Sequence, residues 1–197
     1  MTQKRLFLNS AWIFLLALFF IPMDATSFEK LPEEYTISLG SPEANTKVVE
    51  YFSLSCPLCL KLLKEEFPAI YNVQVATSKV HWTFHPDPQD ITTMQLMICL
   101  EKLPKDKKWK FFWEIASSVN PFQPGKNTFL IEQVAKRFGI DTPTLHDIAS
   151  IEKTTAYSEA FTYIKQKDAP SSLPAIEING ILSEELPTQE FLRKVLK

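Results

Sequence analysis

At 197 residues, 45% hydrophobic and 22% charged, the chain has the make-up of an ordinary globular protein and is long enough for one substantial core. Its formal net charge is −2, and removing residues 1–27 with Lys4, Arg5 and Asp24 (two positive charges, one negative) moves it to −3, which excludes the basic balance that nucleic acid demands. With only 4 glycines there is no glycine-rich phosphate loop, and no internal repeat or low-complexity tract is visible.

The first element is a leader. Lys4 and Arg5 precede an unbroken apolar run, AWIFLLALFFI (11–21), and Ala25-Thr26-Ser27 supplies small residues for cleavage. The run is short for a membrane span, so residues 1–27 read as a signal peptide. An uncleaved anchor is the alternative, because Leu6, Phe7 and Leu8 lengthen the run. Either way the body of the chain is expected outside the cytoplasm, in the periplasm or another extracytoplasmic space, where disulfides persist.

KVVEYFS (47–53), β-branched and aromatic, predicts a buried central strand running straight into CPLC. Cys56 then opens a helix, where unpaired backbone N–H groups and the positive end of the helix dipole favour a thiolate. Cys59 follows about one turn later, within reach of a mixed disulfide formed at Cys56. The helix is expected to turn Leu58, Leu62, Leu63 and Phe67 inward and to kink or end at Pro68. KVHWTFH (79–85) alternates Val80, Trp82 and Phe84 against His81, Thr83 and His85, which predicts a second strand, parallel to the first through a right-handed crossover.

From about Asp90 to Asp168 the apolar period changes to that of helices. Segments 91–103, 108–119 and 127–139 read as three of them, the last with Asn127 or Thr128 as N-cap and Gly139 as its stop. Thr142-Pro143 caps a further helical stretch to about Lys167, broken near Ser150 to Thr154. SLPAIEING (172–180) is then a strand opened by proline, with Asn179-Gly180 as a hairpin turn, 181–186 its partner, and 188–197 a terminal amphipathic helix facing Phe191, Leu192, Val195 and Leu196 inward. The order of elements predicts an α/β layer fold interrupted by an all-α insertion.

Two segments together, VVEYFSLSCPLC and SLPAIEING, resemble the DsbA family of exported bacterial thiol–disulfide oxidoreductases. The resemblance implies a thioredoxin-like fold with an inserted helical domain at about 90–168 within a 28–197 unit. It implies Cys56 as the exposed nucleophile, Cys59 as the resolving thiol, and Pro174 as a cis-proline that brings Leu173 beside Cys56, its backbone open to an extended substrate strand. It also implies Glu50, in mid-strand beneath the pair, as a proton relay to Cys59. Lys79 matches the basic partner of such an acid only loosely and reads as a surface lysine. Between the cysteines stand Pro57 and Leu58, where strongly oxidising relatives carry histidine in the second position. Leucine has no donor for a thiolate, so the couple is expected to be less oxidising.

The resulting expectation is a monomeric exported protein-disulfide oxidoreductase with no metal or organic cofactor, acting on unfolded or extended proteins and served by a membrane redox partner. A different class of function uses the same cysteines with His81 or His85 as a non-enzymatic copper-handling module. An isomerase would want a dimerisation segment, for which no stretch is spare. Cys99, between Ile98 and Leu100, reads as a buried inert thiol, and Met94 and Met97 as core. The lysines around Trp109 (Lys102, Lys105, Lys107, Lys108, Lys110) read as a solvated connection and helix start.

Overall fold

The computed structural model describes residues 28–142, 145–167, 169–183, 185–186 and 188–195. The leader expected over 1–27 lies outside these residues, as do Pro143, Asp168 and Leu196. One mixed sheet holds five strands, β1 (Ile37–Leu39), β2 (Thr46–Phe52), β3 (Val80–Pro86), β4 (Ala175–Ile178) and β5 (Ile181–Ser183), in the order β1-β3-β2-β4-β5. β2 is central, parallel to β3 with Glu50 opposite Phe84, and antiparallel to β4 with Glu50 opposite Ile176.

The helices are α1 (Pro57–Glu65), α2 (Phe67–Ile70), α3 (Ile91–Leu100), α4 (Lys105–Ser118), α5 (Pro124–Arg137), α6 (Ile148–Ile151), α7 (Thr155–Ile164) and α8 (Gln189–Val195). Alternation along the strands sorts the two sheet faces. Val48, Glu50 and Phe52 share one with Trp82 and Phe84; there Phe67 of α2 packs 5.4 Å from Trp82 and Phe112 of α4 packs 4.9 Å from Phe52. On the other, Tyr51 and His85 meet Phe28 and Tyr163 of α7. A sheet covered on both sides explains why β2 reads as nearly continuous apolar sequence.

The strand, insertion and hairpin order stands, with local corrections. β1, three residues pairing antiparallel with β3, and a π-helical turn at Tyr71–Val75 beyond Pro68 were not expected. α5 starts at Pro124, where a missing N–H costs nothing at the first helical position. Asn127, expected as its cap, instead ties back to Asn120, accepting from its N–H at 3.0 Å and donating to its carbonyl at 2.8 Å. Leu58 is 39% exposed rather than buried, since it lies with Pro57 on the solvent side of the first turn of α1, while Cys59 and Leu60 take the inner side. His85, placed on the polar face of its strand, is buried under α7. Val195 is exposed, leaving Phe191 and Leu192 to anchor α8. The hairpin turn at Asn179-Gly180 has positive φ at both residues (49° and 85°), the conformation that a tight two-residue turn needs.

Candidate functional site

Cys56 is the N-cap of α1 and is joined to Cys59 in a disulfide. Its Sγ accepts the Cys59 backbone N–H at 3.1 Å, the contact that helix termini offer an anion. Cys56 is half-buried whereas Cys59 is 2% exposed, so Cys56 is the more accessible of the two. Pro57 and Leu58 both lie at the surface. The Leu173–Pro174 bond is cis, Pro174 is buried, and the Leu173 carbonyl oxygen lies 3.8 Å from Cys56 Sγ. The ends of β2 and β4 thus bring together two segments that are 117 residues apart.

The turn presenting Cys56 is held by a residue that the sequence did not single out. Asp90, the N-cap of α3, receives the Ser55 hydroxyl (2.8 Å) and the Thr93 N–H (2.9 Å) on Oδ1, and the hydroxyls of Ser53 and Thr93 (both 2.6 Å) on Oδ2. Two of those hydroxyls also accept backbone N–H groups of the turn, Thr93 from Leu54 and Ser53 from Ser55, each at 2.9 Å. The hydroxyls thus take backbone N–H groups on one side and give their protons to the carboxylate on the other, which ties the first helix of the insertion to the cysteine turn.

Glu50 is 3% exposed in the middle of β2. Among the described residues, its carboxyl group receives one hydrogen bond, from the indole Nε1–H of Trp82 at 3.2 Å. Burial pushes its carboxyl up to about 8, against a smaller downward pull from that indole. Lys79 is not its partner: it is exposed at the start of β3, five residues before the strand position opposite Glu50.

The remaining candidates fall into the framework. His85 is buried, held well below its usual range to about 3 by burial, and its Nε2 accepts the Leu31 N–H at 2.9 Å. Among the described residues no cluster of three or more His, Cys, Asp or Glu side chains is assembled to hold a metal, so neither His85 nor half-buried His81 joins the cysteines. Cys99 is fully buried and burial pushes its thiol up to about 12. Met94 and Met97 belong to the core. Of the lysines around Trp109, Lys102 donates to the Asp141 carbonyl, Lys105 pairs with Glu33, and buried Lys108 donates to the carbonyls of Glu33 and Glu34.

The family model described as Thioredoxin matches residues 32–197. Among solved structures, the chain is similar to DsbA of Chlamydia trachomatis (17% identity, TM-score 0.63, covering 87% of this chain and 92% of that one). It is also similar to alpha-DsbA1 of Wolbachia pipientis (19%, 0.61, 84% and 91%). A protein-disulfide isomerase from Novosphingobium aromaticivorans shares the fold too (20%, 0.56, 82% and 95%). No curated protein matches the chain by sequence.

Proposed function

The chain belongs to the thioredoxin family and is a protein-disulfide oxidoreductase; on that premise we propose that it works outside the cytoplasm, exchanging disulfides with extended or unfolded proteins through Cys56, as a weaker oxidant than relatives with histidine at the Leu58 position. The observation that carries this reading is Cys56 itself, accessible at a helix N-cap with a backbone donor on its sulfur and the Leu173 backbone alongside.

In the oxidising direction a substrate thiolate attacks Cys56 Sγ, the Cys56–Cys59 bond breaks, and a mixed disulfide forms. Cys59 leaves as a thiolate and takes the proton of the Glu50 carboxyl. The substrate's second thiolate then attacks the substrate sulfur of the mixed disulfide and expels Cys56 as a thiolate. The substrate loses two electrons and the cysteine pair gains them; the reverse sequence reduces a substrate disulfide. A carboxyl titrating near 8 can give and take this proton close to neutral pH. Leu173 pairs with the substrate backbone as an added strand, next to Pro174. The protein acts as a monomer without metal or organic cofactor, and a membrane redox partner resets the pair. The apolar run 11–21 supports export.

Turnover of insulin disulfides, lost in Cys56→Ala, together with alkylation of the reduced protein that labels Cys56 well before Cys59, tests the assignment. Absent turnover, or stoichiometric copper in the purified protein, would defeat it.

A further inference from the structure

We propose that Trp82 is a positioning residue for the proton step at Cys59: its indole Nε1–H holds the Glu50 carboxylate in place and favours its charged form. The inference rests on the reading of Glu50 as the proton relay and extends it to a residue that neither the cysteine motif nor the proline segment contains.

Trp82 stands opposite Val48 across the β2–β3 pair, two residues from the Glu50–Phe84 pair, so its long indole reaches Glu50 diagonally on the same face. Trp82 is completely buried, with rings of Phe67 at 5.4 Å and Phe84 at 6.2 Å. Packing of that kind fixes the ring before any charge appears on its partner, which is the condition for a donor to act without reorganising. Packed on this face are also Phe84 of β3, Ile176 of β4, Phe67 of α2, and Phe112 and Trp109 of α4, none of which titrates; the second indole, Trp109, lies against Phe67 and Phe84 at 5.5 and 5.7 Å, while the donor to Glu50 is Trp82. From α1 the titratable side chain in this core is Cys59. Among the described residues burial and the Trp82 donor are the two influences on Glu50, with no charged side chain beside them. An indole N–H can only donate, and it bonds more strongly to a carboxylate than to the neutral acid. Trp82 therefore opposes burial at the one group whose protonation sets when Cys59 can leave or attack.

The test is the pH dependence of mixed-disulfide resolution, followed by rapid mixing in the native protein, Trp82→Phe, Glu50→Gln and the double variant. The expected result is a midpoint near 8 in the native protein, moved upward in Trp82→Phe by about a tenfold gain in proton affinity. That step should be absent from Glu50→Gln and from the double variant. An unmoved midpoint in Trp82→Phe, with the step still lost in Glu50→Gln, overturns the role of Trp82 and leaves that of Glu50 standing; a step surviving in Glu50→Gln overturns both. Loss of packing alone lowers stability without moving the midpoint. Should Trp82→Phe fail to fold, the nitrogen-labelled indole of the native protein decides. Its N–H resonance should titrate with the Glu50 midpoint and stop titrating in Glu50→Gln; an indole resonance flat with pH overturns the inference.

Discussion

Asp90 and Glu50 are carboxylates in opposite surroundings, one tied to the cysteine turn and the other buried in the strand that leads to it. Asp90 sits at the rim, where four donors converge on it and two of them pass the connection on to backbone N–H groups of the cysteine turn. Glu50 lies in the core with a single indole donor and aromatic or aliphatic neighbours across both strands. The first arrangement satisfies a charge and so makes it structural. The second leaves a charge under-satisfied, which is costly for the fold and is what brings its proton into the working range. The same functional group thus builds at one place and, in the role proposed for Glu50, moves a proton at the other, and the number of donors around it makes the difference.

Replacing each carboxylate should therefore move stability in opposite directions. Glu50→Gln removes the larger effect. The folded carboxyl keeps its proton up to about 8, whereas an unfolded one releases it near 4.5. Unfolding therefore releases a proton across that window, and stability falls as pH rises from about 4.5 to 8, then levels off. The glutamine variant should escape that fall. In urea unfolding it should be more stable than the native protein at pH 9 by up to about 5 kcal/mol, and nearly equal to it at pH 4. Parallel stability curves for the two proteins would return Glu50 to an ordinary carboxyl.

Asp90→Ala should do the reverse, losing about 3 kcal/mol at pH 7, because it strips the cap of α3 and leaves donors of the cysteine turn unsatisfied. Ser55→Ala, which removes one donor and leaves the acceptor occupied by three others, should cost about 1 kcal/mol. If the serine variant loses as much as the aspartate one, the hub is not Asp90.

How far these contrasts are legible in the sequence depends on the span of the contact. Cys56 and Cys59 are neighbours on one helix turn, and strand periodicity brings the reader straight to them. The helices of the insertion follow from their 3.6-residue pattern, and the Asn179-Gly180 turn from its dipeptide. Ser53 and Ser55 look like linker residues, because their acceptor lies 35 to 37 positions away and nothing local marks it. Trp82 reads as core, and so it is; that its N–H reaches Glu50 depends on the register of a parallel pair, which alternation does not specify. Alternation assigns His85 to a polar face because it says nothing about a second layer of helix. Extending the apolar stripe of α1 one turn too far, into the turn that presents Cys56, turns Leu58 inward where the structure leaves it exposed.

That exposed leucine supplies the smallest and sharpest test of the division between rim and core. At the rim a side chain can be changed without disturbing packing, and Leu58, 39% exposed in the first turn of α1, is such a position. Leu58→His should change folding stability by less than about 0.5 kcal/mol. It should nevertheless add a donor next to the sulfur that already accepts the Cys59 N–H at 3.1 Å. A tenfold gain in thiol acidity at Cys56 is worth about 1.4 kcal/mol, and for a two-electron couple that amounts to about 30 mV toward the oxidising side. Alkylation rates against pH should report the first quantity and equilibrium with glutathione the second. The two must move together, since both measure stabilisation of the same thiolate. A more acidic Cys56 with an unchanged potential would mean that the histidine also stabilises the disulfide, and an unmoved thiol would show that position 58 does not face the sulfur.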